Sequence, residues 1–202
     1  MMRMVLMGAP GSGKGTQGER LAAEFRVSRL STGDALREAV REGTALGMRA
    51  KAVMDAGGLV DDRTVLGIVE QRLAQGDAVD GFILDGFPRN LAQAEALDAL
   101  LRERGQPPLD VVLNLEVGAE ELVRRLLARA AEQGRDDDRE EVIRRRLQVY
   151  EESTRPLLGY YAARGRLLSL DGTGTLEQVF QRIVVALAES ARRLAARRTA
   201  AA

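Results

Sequence analysis

A chain of 202 residues lies near the upper end of the usual single-domain range, and no run of about 20 apolar residues could span a bilayer. Its 30 basic and 30 acidic side chains cancel, so the overall charge points to neither nucleic acid nor a membrane as partner. Cysteine and histidine are both absent, which excludes disulfides and thiolate zinc sites and removes the commonest general base, so any chemistry must use carboxylates, cations or a bound metal.

Arg3 to Gly8 reads as a short buried strand, and a glycine-rich turn leads from it into a helix with apolar spacing around Leu21, Ala22 and Phe25. The basic start is a single arginine and the apolar run ends at the glycine loop. That argues against a secretory signal and makes the cytoplasm the default compartment. Short apolar runs recur at Arg29–Ser31, Gly81–Leu84, Val111–Leu115 and Leu167–Leu170, each followed by a helical pattern. Helices are expected over Gly33–Met54, Asp62–Gln75, Leu91–Arg104 and Ala119–Glu132. Two more are expected over Asp138–Tyr161, broken at Pro156, and from Leu176 toward a frayed tail at Arg197–Ala202. Strands alternating with helices imply an α/β domain whose parallel sheet, of about five strands, is covered on both faces. Gly43–Val60 and the short polar stretch Gly134–Asp138 are the expected mobile inserts.

Gly8-Ala9-Pro10-Gly11-Ser12-Gly13-Lys14-Gly15-Thr16 follows a predicted strand and opens a predicted helix, the context a phosphate-binding loop requires. Glycines let backbone amides approach phosphate oxygens, and the helix start adds a dipole end that favours anions. Lys14, one of two lysines among the 30 basic residues, supplies a compact cation that can follow charge between phosphates. Gly15 stands where the general pattern has serine or threonine, and Thr16 follows one place late for direct magnesium ligation.

This variant, GxPGxGKGT, resembles the loop of nucleoside monophosphate kinases. Three further segments extend the resemblance in the same order along the chain: Leu30-Ser31-Thr32-Gly33-Asp34-Ala35-Leu36-Arg37, Asp85-Gly86-Phe87-Pro88-Arg89 and Asp171-Gly172-Thr173. Together they resemble the adenylate kinases. The resemblance implies a P-loop fold with a core at 1–30, 61–127 and 139–202, a monophosphate-binding insert at 31–60 and a lid at 128–138. It also implies ATP, AMP and ADP as ligands, magnesium as the metal, and a monomer acting in the cytoplasm.

By the same resemblance, Gly11, Ser12, Gly13, Lys14, Gly15, Thr16, Arg129 and Gly174 bind ATP. Thr32, Gly33, Arg37, Gly58, Leu59, Val60, Gly86, Phe87, Pro88, Arg89, Gln93, Arg135 and Arg146 bind AMP, with Arg37 and Arg89 on its phosphate. Lys14, Arg89, Arg125, Arg135 and Arg146 are the implied catalytic set, converging on the transferring phosphoryl group. Asp137 and Asp138 match lid-hinge acids. Gly58 stands where relatives often carry lysine or arginine, so any contact there is through backbone. Asp85 closes a predicted strand beside the loop, where a carboxylate can hold magnesium through its water shell.

The chemistry is coherent on its own terms. An acceptor that is already a phosphate dianion needs no general base, and arginines can hold it against repulsion from the donor. The interval between Ala131 and Asp138 is short, which resembles the short-lid class, and a zinc knuckle is excluded there by the missing cysteine and histidine. The nearest alternative is a UMP/CMP kinase, against which Thr32 and Gln93 favour adenine. An alternative of another class is a nucleotide-binding regulator without catalysis, against which the retained Lys14, Asp85 and arginines count.

Overall fold

The computed structural model describes residues 2–78, 80–133 and 139–200, with no side-chain description at 133 or 193–200. Five strands, β1 (Met2–Gly8), β2 (Ser28–Ser31), β3 (Gly81–Asp85), β4 (Val111–Glu116) and β5 (Leu167–Asp171), form one sheet in the order β2-β3-β1-β4-β5. Every pairing is parallel. Strand β1 is central: the next two strands lie on one side of it and the last two on the other. The strand order therefore reverses at β1, and ligands of open parallel sheets bind beyond the strand ends at such a reversal. Leu6 of β1 and Ser31 of β2 both stand level with Asp85, so the loop after β1, the start of the acceptor segment and Asp85 all lie at one end of the sheet.

Alternate residues along the strands feed two cores, as a sheet covered on both faces requires. Val5, Met7, Leu84 and Val112 pack on one side with Val69, Leu97 and Tyr161. Met4, Leu6, Ile83 and Leu113 pack on the other with Leu21, Phe180 and Ile183. The helices that cover these faces are α1 (Lys14–Phe25), α2 (Thr32–Arg41), α3 (Ala45–Asp55), α4 (Asp62–Leu73), α5 (Leu91–Glu103), α6 (Ala119–Gln133), α7 (Glu140–Val149), α8 (Leu157–Ala163) and α9 (Leu176–Ala200).

Three expectations are revised. The helix expected over Gly33–Met54 is two helices: α2 ends at Arg41, and after the turn at Gly43 Thr44 starts α3 by accepting a hydrogen bond from the Gly47 amide at 3.0 Å. Gly47 is where the two helices touch, because a Cβ there would lie 2.0 Å from the Ala39 carbonyl oxygen. The helix expected over Asp138–Tyr161 is interrupted earlier than Pro156, by a π-helical turn at Tyr150–Thr154 in which the Arg155 amide donates to the Tyr150 carbonyl at 2.8 Å. Pro156 lacks an N–H and its ring crowds the carbonyl four residues back, so the wider turn relieves the conflict before α8 begins. The tail expected to fray continues as helix to Ala200.

Candidate active site

The chain leaves β1 at Gly8 and enters α1 through Gly13, which adopts a left-handed conformation (φ 90°) and caps the helix without a side-chain hydrogen bond. A Cβ at Gly13 would meet nothing in space, so conformation rather than room calls for glycine. The first amides of α1 thus face the loop as unpaired donors, a ready site for an oxyanion. Ser12 is buried, and its Oγ has no hydrogen-bond partner among the described residues. An orphaned hydroxyl here fits a loop built around phosphate oxygens.

Lys14 is half-buried and its Nζ donates to the Ala9 carbonyl at 3.3 Å. Burial lowers its pKa, Asp85 opposes the fall, and the positive charges of Arg89, Arg146 and Arg129 add to it, leaving the ammonium at about 8. The same cause makes the site attractive to polyphosphate: four cationic side chains from four different segments share one electrostatic neighbourhood.

Beside the loop, Lys14, Thr32, Gly33, Arg37, Gly58, Leu59, Val60, Gly86, Pro88, Arg89, Gln93 and Arg146 line a common pocket. Phe87 does not: its ring is 1% exposed and belongs to the core. Arg89 is fixed by its own backbone and stem. Its amide donates to Gln93 Oε1 at 2.7 Å, its carbonyl accepts from Thr154 Oγ1 at 2.8 Å, and its Nε donates to the Gly86 carbonyl at 2.9 Å. Gln93 is 3% exposed, and its Nε2 donates to Asp62 Oδ1 at 2.7 Å, so both ends of its amide are engaged by protein. Thr32 is similarly buried and donates to the Gly86 carbonyl at 2.9 Å. Arg37 lies against Gly33, where a Cβ would stand 3.3 Å from its Nη2, and pairs with Asp34.

Arg125 is turned elsewhere. Its Nε donates to Glu121 at 2.7 Å, and both Nη atoms donate to the Gly172 carbonyl at 3.2 Å. It therefore braces the Asp171-Gly172-Thr173 segment, whereas Arg129, one helical turn on, is among the charges acting on Lys14. Gly174 continues that segment with φ 105°. Gly11 also has a positive φ, 84°, and its α-carbon faces Leu126 of α6. Gly15 is half-buried, and Thr16 is exposed. Arg135, Asp137 and Asp138 lie outside the described residues.

Asp85 is 6% exposed at the end of β3, and its Oδ2 accepts from Arg29 Nη2 at 2.6 Å. Its oxygens lie next to the loop: a Cβ on Gly15 would be 3.6 Å from Oδ2. Among the described residues no group of three or more carboxylates could cage a metal. One carboxylate beside a phosphate loop fits a cation that arrives on a nucleotide and keeps most of its water.

Sequence reasoning missed Arg29 and Thr154. The first precedes a recognised segment by one residue, and the second lies in an apparently continuous helical stretch. Neither has a motif of its own.

Comparison with known proteins agrees with this geometry. A family model described as adenylate kinase matches residues 6–166. The adenylate kinase of Xanthomonas campestris pv. campestris (strain 8004) is 54% identical over 186 residues, which is 92% of this chain and 99% of that protein. The adenylate kinase of Stenotrophomonas maltophilia (strain R551-3) is also 54% identical, over the same shares. A phosphate loop at the strand-order reversal, an arginine-lined pocket beside it and relatives of this likeness along nearly the whole chain place it: the chain belongs to the adenylate kinase family and is a nucleoside monophosphate kinase, a phosphotransferase.

Proposed function

We propose that the chain catalyses ATP + AMP ⇌ 2 ADP, with magnesium entering on the donor nucleotide, as a cytoplasmic monomer. The observation that carries the reading is the joint lining of one pocket by Lys14, Arg37, Arg89 and Arg146 next to the phosphate loop. The amides at the start of α1 and Lys14 hold the donor phosphates. Arg37 and Arg89 hold the acceptor phosphate, each able to pair two oxygens through a planar fork. Arg129 and Arg146 add positive charge where negative charge develops in transfer. No side chain has to remove a proton, because the attacking oxygen is already anionic; the work is positioning against repulsion.

Magnesium, when bound, would neutralise charge across the donor phosphates, and Asp85 is the carboxylate placed to hold its water. We assign Thr32, the backbone of Gly58–Val60 and Gln93 to the adenine and ribose of AMP. Arg125, through the Gly172 carbonyl, sets the segment we assign to the adenine of ATP. The division into a core, an insert at 31–60 and a lid at 128–138 follows the same reading, with both inserts closing to exclude water during transfer.

A coupled assay for ADP with AMP, UMP, CMP and GMP as acceptors tests the proposal. AMP is expected to give the highest kcat/KM. A higher value with UMP or CMP would transfer the assignment to a pyrimidine kinase.

A further inference from the structure

Asp85 and the acceptor arginine Arg37 are joined by an unbroken line of alternating charges. Arg29 Nη2 donates to Asp85 Oδ2 at 2.6 Å, and Arg29 Nη1 donates to Asp34 Oδ2 at 3.1 Å. The other carboxylate oxygen of Asp34 accepts from Arg37 Nη2 at 2.5 Å. Glu19 Oε1, 3.5 Å from Arg29 Nη1, stands at the solvent edge of this line. The line runs from the magnesium side of the phosphate loop to the acceptor pocket, and one guanidinium bridges its middle.

The bridge is built into the fold rather than laid over it. The Arg29 side chain is 17% exposed and that of Asp85 is 8% exposed. Arg29 runs along α1 where Gly15 and Gly18 leave a groove: a Cβ at Gly18 would lie 3.2 Å from Arg29 Nε, and one at Gly15 would lie 3.4 Å from Nη2. Its Nε is buried without a hydrogen-bond partner among the described residues. Burying a guanidinium with one donor unsatisfied costs stability that an apolar side chain would not. The two-sided grip on Asp85 and Asp34 is what that cost secures. Burial raises the pKa of Asp34, but hydrogen bonds from Arg37 and Ser31 and the charges of both arginines outweigh it, holding the carboxyl down at about 2. Asp34, at the junction between the two arginines, therefore carries its charge at neutral pH.

We propose that Arg29 is a positioning residue that couples the two nucleotide sites, so that a magnesium-loaded donor strengthens the grip on the acceptor phosphate. Asp85, once shared with the hydrated cation, holds Arg29 less tightly. Arg29 then leans on Asp34, Asp34 releases Arg37, and Arg37 turns its fork to the phosphate in the pocket it lines. Because coupling is reciprocal, AMP strengthens binding of the magnesium-loaded donor by the same factor. This inference rests on the reading of Asp85 and Arg37 given under the proposed function.

The test is calorimetric titration of the full chain with AMP, alone and with a saturating β,γ-imido analogue of ATP, the latter with magnesium or with chelator. In the unmodified chain the magnesium-loaded analogue is expected to tighten AMP binding about fivefold or more, and the metal-free analogue by less than half of that. Arg29→Gln and Asp34→Asn, which cut the line on either side, should each bring the factor within twofold of unity while both ligands still bind singly. Arg29→Lys should do the same, since one ammonium cannot span both carboxylates. If Arg29→Gln fails to fold, Asp34→Asn, which leaves the Arg29–Asp85 pair in place, decides the matter. Coupling unchanged in the folded variants, or equal with and without magnesium, overturns the inference while leaving the site assignments standing. Failure of the unmodified chain to bind AMP or the analogue at all would instead overturn those assignments.

Discussion

Replacing Arg89 with lysine keeps the charge and removes the shape. Arg89 Nε donates to the Gly86 carbonyl at 2.9 Å, and its backbone is tied on one side to Gln93 and on the other to Thr154, so the planar end is presented from a fixed stem. Lysine has no Nε and no second arm. On the proposed reading, the loss is therefore the clamp to Gly86 together with one of two charge-assisted bonds to the acceptor phosphate, each worth about 1.5 kcal/mol or more. About 3 kcal/mol of transition-state stabilisation corresponds to a fall of about two orders of magnitude in kcat/KM for AMP. Arg104→Lys is the control: Arg104 is exposed and donates through Nη2 to the Glu70 carbonyl, away from the pocket, so its change should be nearly silent. Steady-state kinetics with AMP varied at saturating ATP reads the effect, and a thermal melt confirms that the fold is unchanged. Equal, small losses at both positions would mean that Arg89 is ordinary surface charge, and a loss confined to the KM for ATP would place it on the wrong substrate.

Because the free Lys14 ammonium sits at about 8, binding of ATP phosphates should return its pKa toward 10.5, so protons are taken up on binding between those values. Affinity is full below the free-protein value and declines as pH rises through the window; calorimetry at about pH 9 in two buffers of different ionisation enthalpy should show the uptake, and its absence would refute the assignment. Gly47→Ala should force α2 and α3 apart, because the new Cβ would lie 2.0 Å from the Ala39 oxygen and 2.2 Å from its carbon, both unyielding backbone. A loss of about 3 kcal/mol is expected, at the upper end of overpacking costs, and an unshifted melting temperature would contradict the tight helix contact.

What the sequence made legible was local. Strand, loop and helix around Lys14 carry their own signature, and the alternation of short apolar runs with helical spacing predicted a covered parallel sheet. The order of its strands was not written in any local pattern, since it depends on which edges meet after the helices have packed. The same limit hid the Arg29 bridge. Residues 29 and 85 come together because β2 pairs with β3, and neither strand announces its partner. Arg125 and Arg129 are one helical turn apart and look equivalent on paper, yet one donates to Gly172 while the other adds charge near Lys14. That difference depends on where α6 lies relative to β5 and the loop. The break between α2 and α3 was legible in hindsight, as Gly43 followed by the capping residue Thr44, but apolar spacing on both sides of it outweighed the stop signal.

The π-helical turn at Tyr150–Thr154 has a bearing on how relatives of this chain can diverge. Such a turn amounts to an α-helix carrying one residue more than its regular count. Deleting any residue within it would restore regular winding and swing everything beyond by about 100° relative to what precedes. Thr154 would leave the Arg89 carbonyl, or else Leu157 and Tyr161 would leave the core in which both are buried; one chain segment could not satisfy both. Glu151 and Glu152, by contrast, are exposed and make only surface contacts, Glu151 accepting from Arg155 and Glu152 from Gln148. Tolerance to substitution and tolerance to length thus part company in this stretch: its exposed letters can drift, and its count cannot. The turn after α5, at Arg104–Pro108, is mostly exposed and anchors no pocket residue, so changes in length should collect there instead.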